Sequence, residues 1–284
     1  MREAGIRLFL GLVLVCAACA RADNGNGSPD AGDTTTTEQP DGSSGPTDGT
    51  FTITTIANAV TNSASLHSVE VDNATVVAAH SYVSGSATVG TFYIQDGSGP
   101  GLAVYHGKSD LDAFPAVGDL VTVKGHLSHY SGSLQISSST KWATKLSITI
   151  VTPGGGTVPL PVTGLNASDY ASTGDAHADQ VGHVLQFNGP LTVTTANAIV
   201  STDTDGGTKP QGYEVTGGLI VDDNMVYHDC IKTLDGGVAG IDMSHGVRGV
   251  WDGYQDYNAG TKTNPAPTVQ VLYPMTCGDL TPAQ

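Results

Sequence analysis

The sequence predicts an all-β protein: two tandem five-stranded units behind a disordered tether. Short runs rich in β-branched and aromatic residues alternate with near period two and are punctuated by Gly, Asp and Ser. A set of landmarks recurs in the same order in both halves of residues 51–284. Residues 20–50 are dominated by Gly, Asp, Thr, Ser and Pro and hold almost nothing apolar to bury.

The N-terminus reads as an export signal. Arg2 and Arg7 precede the apolar run LFLGLVLV, which is too short to span a bilayer. The run ends in Val15-Cys16-Ala17-Ala18-Cys19, and two small residues before a Cys resemble a bacterial lipobox. That resemblance implies Cys19 as the lipidated residue and 1–19 as a lipoprotein signal peptide. Cys16 fits less well, because Leu14 and Val15 would occupy the small-residue slots. A plain secretory signal cleaved near Ala20 is the alternative. Residues 20–50 then form a flexible linker that holds the folded part roughly 30 Å from a membrane anchor.

In the first unit, residues 51–152, the strand runs are VEVDNATVVAA, TFYIQD, GLAVYHG, LVTVKGHLSHY and SLQIS. SDLDAFPAVGD, between the third and fourth, has room for one helical turn or a short helix. The second unit, 153–284, reads as a degenerate copy. Val104-Tyr105-His106, Val123-Lys124-Gly125, Tyr130 and Leu134-Gln135-Ile136 are answered by Val226-Tyr227-His228, Val247-Arg248-Gly249, Tyr254 and Val269-Gln270-Val271. Upstream, SVEVDNATVV is matched by HVLQFNGPLTV, and residues 256–267 read as a loop insertion.

Five strands with a longer third-to-fourth connection follow the order of the OB-fold. FYIQDGSGPGLAVY followed by GDLVTVKGHLSHYSGSLQI resembles the OB-fold modules attached to secreted bacterial nucleases and found in many bacterial lipoproteins. The resemblance implies two tandem OB-like barrels, and binding of an oligosaccharide or single-stranded nucleic acid on the face of the second and third strands. Alternation places Phe92, Ile94, Leu102 and Val104 inside the barrel and Tyr93, Gln95, Ala103 and Tyr105 outside it. Tyr93, Gln95 and Tyr105, with Lys124, Tyr130 and Lys141, are the candidate ligand-binding residues, the rings serving as stacking platforms. The same two rings can instead form a cross-strand pair that stabilises the hairpin, or pack against the second unit.

Charge weighs on the choice of ligand. The chain carries a net −16. Residues 51–150 contribute −2, from six acids against four Lys, and residues 151–284 contribute −10, from fourteen acids against three Lys and one Arg. Phosphate neutralisation needs Lys and Arg, so the second unit is poorly suited to nucleic acid. A neutral sugar chain, or an exported protein partner docked without any polymer ligand, fits better.

The sequence holds no nucleophile elbow, H-E-x-x-H site, Walker loop or dinucleotide fingerprint, so a non-enzymatic role with no cofactor and no metal is expected. His126 and His129 read as polar residues at a strand end rather than as metal ligands. Asp203 and Asp205 beside Gly206-Gly207 could offer oxygens to calcium, but the run reads first as a turn. Asp222-Asp223-Asn224 reads as a turn likewise. Once Cys16 leaves with the signal and Cys19 is acylated, Cys230 and Cys277 remain, and in an exported protein they are expected to form a structural disulfide.

Overall fold

The computed structural model describes residues 50–171, 177–202, 207–256, 260–261, 264–265 and 268–281. The all-β class is observed, in two sheets of seven strands each, the first drawn from residues before Gly154 and the second from residues after it. The expected tether, Cys19, Asp203 and Asp205 lie outside the described residues.

The first sheet contains β1 (Thr52–Ile53), β2 (Ser68–Ser84), β3 (Ala87–Gln95), β4 (Leu102–His106), β5 (Leu120–Tyr130), β6 (Ser133–Ser137) and β7 (Ser147–Thr152). β2 pairs antiparallel with β5 along its first part and with β3 along its second. The change of partner falls at Thr75, which pairs with Leu120 of β5 and Gln95 of β3, just after Asn73, whose φ of 52° lies within the register shift between Val71 and Ala74. β3 pairs with β4, β4 runs parallel to β6, and β6 returns antiparallel to β5, so β2 to β6 close into a ring. Its interior is filled by Val69, Val71, Val76, Phe92, Ile94, Leu102, Val104, Val123 and Ile136, among them the four inward positions that alternation predicts, Phe92, Ile94, Leu102 and Val104.

The helix of this half is not where the sequence suggested. α1 (Ile56–Thr61) precedes β2, capped by the Thr55 side chain, which accepts from Asn58 N–H. Asp96 fixes its first turn by accepting from Ile56 N–H at 2.8 Å, and Ile56 and Ala59 are fully buried in the core. Residues 109–119, where the sequence has room for a helical turn, are irregular. Their carboxylates take the backbone donors a helix would use: Asp110 accepts from Gly107 N–H and Asp119 from Ala116 N–H. Phe114, held in this loop, packs edge-on against Phe92 and His106.

The second sheet is ordered β10-β11-β12-β16-β13-β9-β8. Its strands are β8 (Val162–Leu165), β9 (Val184–Phe187), β10 (Val193–Thr202), β11 (Thr208–Val215), β12 (Ile220–Asp222), β13 (Val247–Tyr254) and β16 (Val269–Tyr273). β14 (Gly260–Thr261) and β15 (Asn264–Pro265) pair separately, inside the stretch predicted as an insertion, and α2 (Cys277–Leu280) follows. β9 pairs with β13 and β10 with β11, with a cis Gly189–Pro190 bond between them. The two therefore divide between them the partners that continuous β2 serves in the first sheet. Leu185, Phe187, Tyr213, Val221, Val247, Trp251 and Leu272 form the core.

One landmark of the repeat is corrected. Val226-Tyr227-His228 lies in turns after β12, so the strand answering β4 is Ile220–Asp222 and not the VYH triplet. Val247-Arg248-Gly249 and Val269-Gln270-Val271 do lie on strands, as their counterparts on β5 and β6 do.

Candidate functional site

The two sheets meet on the outer face of β2, β3 and β4. Val77, Ala78, Tyr93 and Ala103 point away from the first core and pack against Val250 and Met275 of the second half. Tyr93 donates through its hydroxyl to Asp252 Oδ2 at 2.9 Å, and Ser133 donates to the same oxygen. On one flank Gln95 Nε2 donates to Gly182 O at 3.1 Å and Gly101 N–H to Val181 O at 2.9 Å. On the other, the two-residue turn Ser131-Gly132 between β5 and β6 has positive φ at both positions, the mirror-turn geometry that matches strand twist. Its tip lies on the end of β13, where Gln255 N–H donates to Ser131 O at 2.7 Å.

Beside this joint a cleft of about 230 Å³ opens between the halves. The first half contributes His80 and Tyr82 of β2, Tyr105 of β4, and Tyr130, Ser133 and Gln135 of β5 and β6. The second contributes Thr202, Gln211, Asp222, Tyr254, Asp256 and Tyr273. Tyr93 stands at its inner wall. Among the described residues that line the cleft there are six tyrosines and no Lys or Arg. Its wall is therefore aromatic and hydroxyl-rich with an acidic bias.

The acids are unusual in their burial. Asp222 is 2% exposed, and burial drives its carboxyl well above the ordinary range; the Asn224 N–H opposes this and Asp223 adds to it. Asp252 is pushed up to about 6 by burial, held from going higher by the hydrogen bonds from Ser133, Gly253 N–H and Tyr93. The phenols respond to the same environment: burial, with the nearby Asp222 charge behind it, raises Tyr254 and Tyr273, and burial and Asp252 raise Tyr93.

The candidate binding residues divide. Tyr105 and Tyr130 line the cleft, and Tyr93 borders it, but the open platform expected for Tyr93, Gln95 and Tyr105 is corrected. All three are less than a tenth exposed, and the second half covers Tyr93 and Gln95 on the strand face that alternation turned outward. Lys124 and Lys141 do not join them. Lys124 pairs with Glu70 at 2.9 Å across β5 and β2, and Lys141 lies over the Trp142 ring at 5.3 Å. His126 is not a surface residue either: it is 3% exposed, beneath Trp142, with Nδ1 2.8 Å from His67 O.

Sequence reasoning missed Asp222, Asp252, Tyr254 and Tyr273 as site residues. Asp222 looked like a turn, and Asp252, on the face of VWDGY opposite the core residue Trp251, carries no local signal, since its partners are 159 and 119 residues away in sequence. The repeat was the available signal: Tyr254 answers Tyr130, and both end strands that frame the cleft.

Cys230 and Cys277 are free thiols, so the expected disulfide is not formed in this structure. They are nevertheless neighbours. Burial pushes the Cys230 thiol up to about 12, and its contact with Cys277 adds to the shift. Among the described residues no group of three or more His, Cys, Asp or Glu is arranged to hold a metal ion, and no helix is long and apolar enough to cross a membrane. Comparison with protein-family models and with curated proteins gives no match for this chain.

Proposed function

We propose that this protein is a non-enzymatic, lipid-anchored binding protein whose halves are OB-type barrels and whose ligand, an oligosaccharide, enters the cleft between them. The barrel reading is supported by the ring that β2 to β6 close, in which the third strand runs parallel to the fifth, and by the same pairing sequence in the second sheet with its first strand divided into β9 and β10. The observation that carries the ligand class is the cleft wall. Tyrosine rings offer flat apolar faces to sugar rings, and the hydroxyl, amide and carboxyl groups among them can meet sugar hydroxyls. The absence of Lys and Arg from the described lining argues against a phosphate backbone.

Calorimetric titration with β-1,4-glucan, mannan and N-acetylglucosamine oligomers, beside an oligothymidylate, tests this reading. At least one sugar should bind and the oligothymidylate should not, and Tyr130→Ala should abolish the sugar signal. Binding of the oligothymidylate alone would overturn it. The anchor is tested separately. Cys19→Ser should move the protein from the membrane fraction to the soluble one, and an unmodified mature N-terminus other than Cys19 would remove the lipoprotein reading.

A further inference from the structure

Asp222 stands at the end of β12 on the wall of the cleft, and 98% of it is removed from solvent. Among the described residues it receives one hydrogen bond, from Asn224 N–H to Oδ1 at 3.0 Å, and makes no ion pair. A carboxyl group carries about four lone-pair sites, and a buried one is ordinarily paired with a cation. Here its neighbours are the phenols of Tyr93, Tyr254 and Tyr273 and the acid Asp223, none of which can supply positive charge, and His80, which also lines the cleft, stands 4.0 Å from Asp229 instead. The cleft therefore presents an uncompensated acid among aromatic rings.

We propose that the ligand of this cleft carries a free ammonium group, so that the oligosaccharide class is an amino sugar with unacetylated nitrogen, and that Asp222 is the residue that receives it. This rests on the oligosaccharide reading above. An ammonium supplies both quantities that Asp222 lacks, a unit positive charge and up to three hydrogen-bond donors. It is also attracted to tyrosine faces within about 6 Å, so rings and acid act on one group together. A divalent metal meets the requirement less well. Calcium takes roughly six to eight oxygens, and no such donor set surrounds Asp222 among the described residues. A neutral sugar hydroxyl would donate one hydrogen bond but form no ion pair, leaving burial to keep the carboxyl protonated. Acetylation removes the charge and enlarges the nitrogen substituent, so the acetylated polymer is the discriminating control.

The experiment is calorimetric titration of the mature full-length protein with β-1,4-linked glucosamine hexamer, its fully N-acetylated counterpart and cellohexaose. The glucosamine hexamer should bind about tenfold or more tighter than either neutral hexamer, the effect of one buried ion pair that only the ammonium can form. Asp222→Asn should bring the three to similar affinity. Methylammonium should displace the glucosamine hexamer, and potassium at equal ionic strength should not; this measurement needs only the wild-type protein and stands if Asp222→Asn fails to fold. Equal binding of all three hexamers by the wild type overturns the ammonium inference and leaves the oligosaccharide reading intact. Equal displacement by potassium also overturns it, because the preference would then be unlocalised charge attraction. Binding of none of the three overturns both.

Discussion

Tyr93 of β3 donates its phenolic hydrogen to Asp252 of β13 across 2.9 Å, and the bond lies fully buried between the two sheets. Because Ser133 of β6 donates to the same carboxylate oxygen, one acid gathers two strands of the first half onto the second. The arrangement makes the joint sensitive to the charge on Asp252.

Asp252 titrates at about 6 in the folded chain, against an ordinary 3.8. Between those values the folded protein keeps a proton that the unfolded chain has released, so folding is favoured as pH falls through this window. The contribution is complete below 3.8 and is lost as pH rises through about 6. At about 1.4 kcal/mol per pH unit this amounts to about 3 kcal/mol between the two limits. Urea melts of wild type and Asp252→Asn from neutral to mildly acid pH measure it. The wild type should gain stability relative to the variant on acidification, and parallel curves would refute the role given to Asp252.

Tyr93→Ala removes a ring that is 2% exposed, together with one donor to Asp252. Truncation of a large buried aromatic costs about 3–5 kcal/mol. A melting temperature lower by several degrees is expected, since about 1 kcal/mol shifts a chain of this size by roughly 2–4 °C. Tyr93→Phe keeps the ring and loses only the hydrogen bond, about 1 kcal/mol, so it should retain most of the stability. Equal stability of wild type and Tyr93→Ala would mean that the ring is not buried in solution.

The distance between what was legible and what was not follows from the range of the forces involved. Period-two alternation is local, and it assigned Phe92, Ile94, Leu102 and Val104 to the core and Tyr93 and Ala103 to the opposite face. What covers that opposite face is decided by residues such as Val250 and Met275, more than a hundred positions away, and no local pattern reports such a contact. The room for a helical turn in 109–119 goes unused for a local reason of another kind: Asp110 and Asp119 bind backbone N–H groups of their own loop. Lys124 and Lys141 were grouped with the tyrosines by composition alone; the register of β2 on β5 sets Lys124 opposite Glu70, and Lys141 lies over the neighbouring Trp142 ring. Asp222, at the end of a three-residue strand, was hidden by its resemblance to a turn.

Cys230 and Cys277 are adjacent free thiols, with Cys277 exposed and Cys230 partly covered. Exposure makes Cys277 the thiol an oxidant reaches first, while the Cys230 thiol, held at about 12, is a poor nucleophile. Mild oxidation should convert the pair to a disulfide that closes a loop of 47 residues (277 − 230). The chain-entropy model gives about 4 kcal/mol for a loop of that length. Thiol counting and thermal melts before and after oxidation check it. Two titratable thiols that persist after oxidation, or an unchanged melt once they are gone, would contradict this placement.

At Gly101, as at Gly132 against Gly253, the halves approach closely through backbone alone. A Cβ built there would stand 2.5 Å from Gly182 O and 2.8 Å from Gly182 Cα, atoms that no rotamer change can move away. The same residue donates its N–H to Val181 O at 2.9 Å, so the clash falls on a hydrogen bond of the joint. Gly101 does not have the positive φ of Gly97 and Gly99, and Gly101→Ala therefore adds little strain within its own turn. The cost arises from displacement of the second half. Forcing a methyl into a packed contact costs about 1–3 kcal/mol. Gly101→Ala should lower the melting temperature by several degrees, and it should shift the amide signals of Val181 and Gly182 while leaving those of the first core, around Val104 and Ile136, in place. Perturbed signals in the first core with Val181 and Gly182 unmoved would show that Gly101 serves its own half and not the joint.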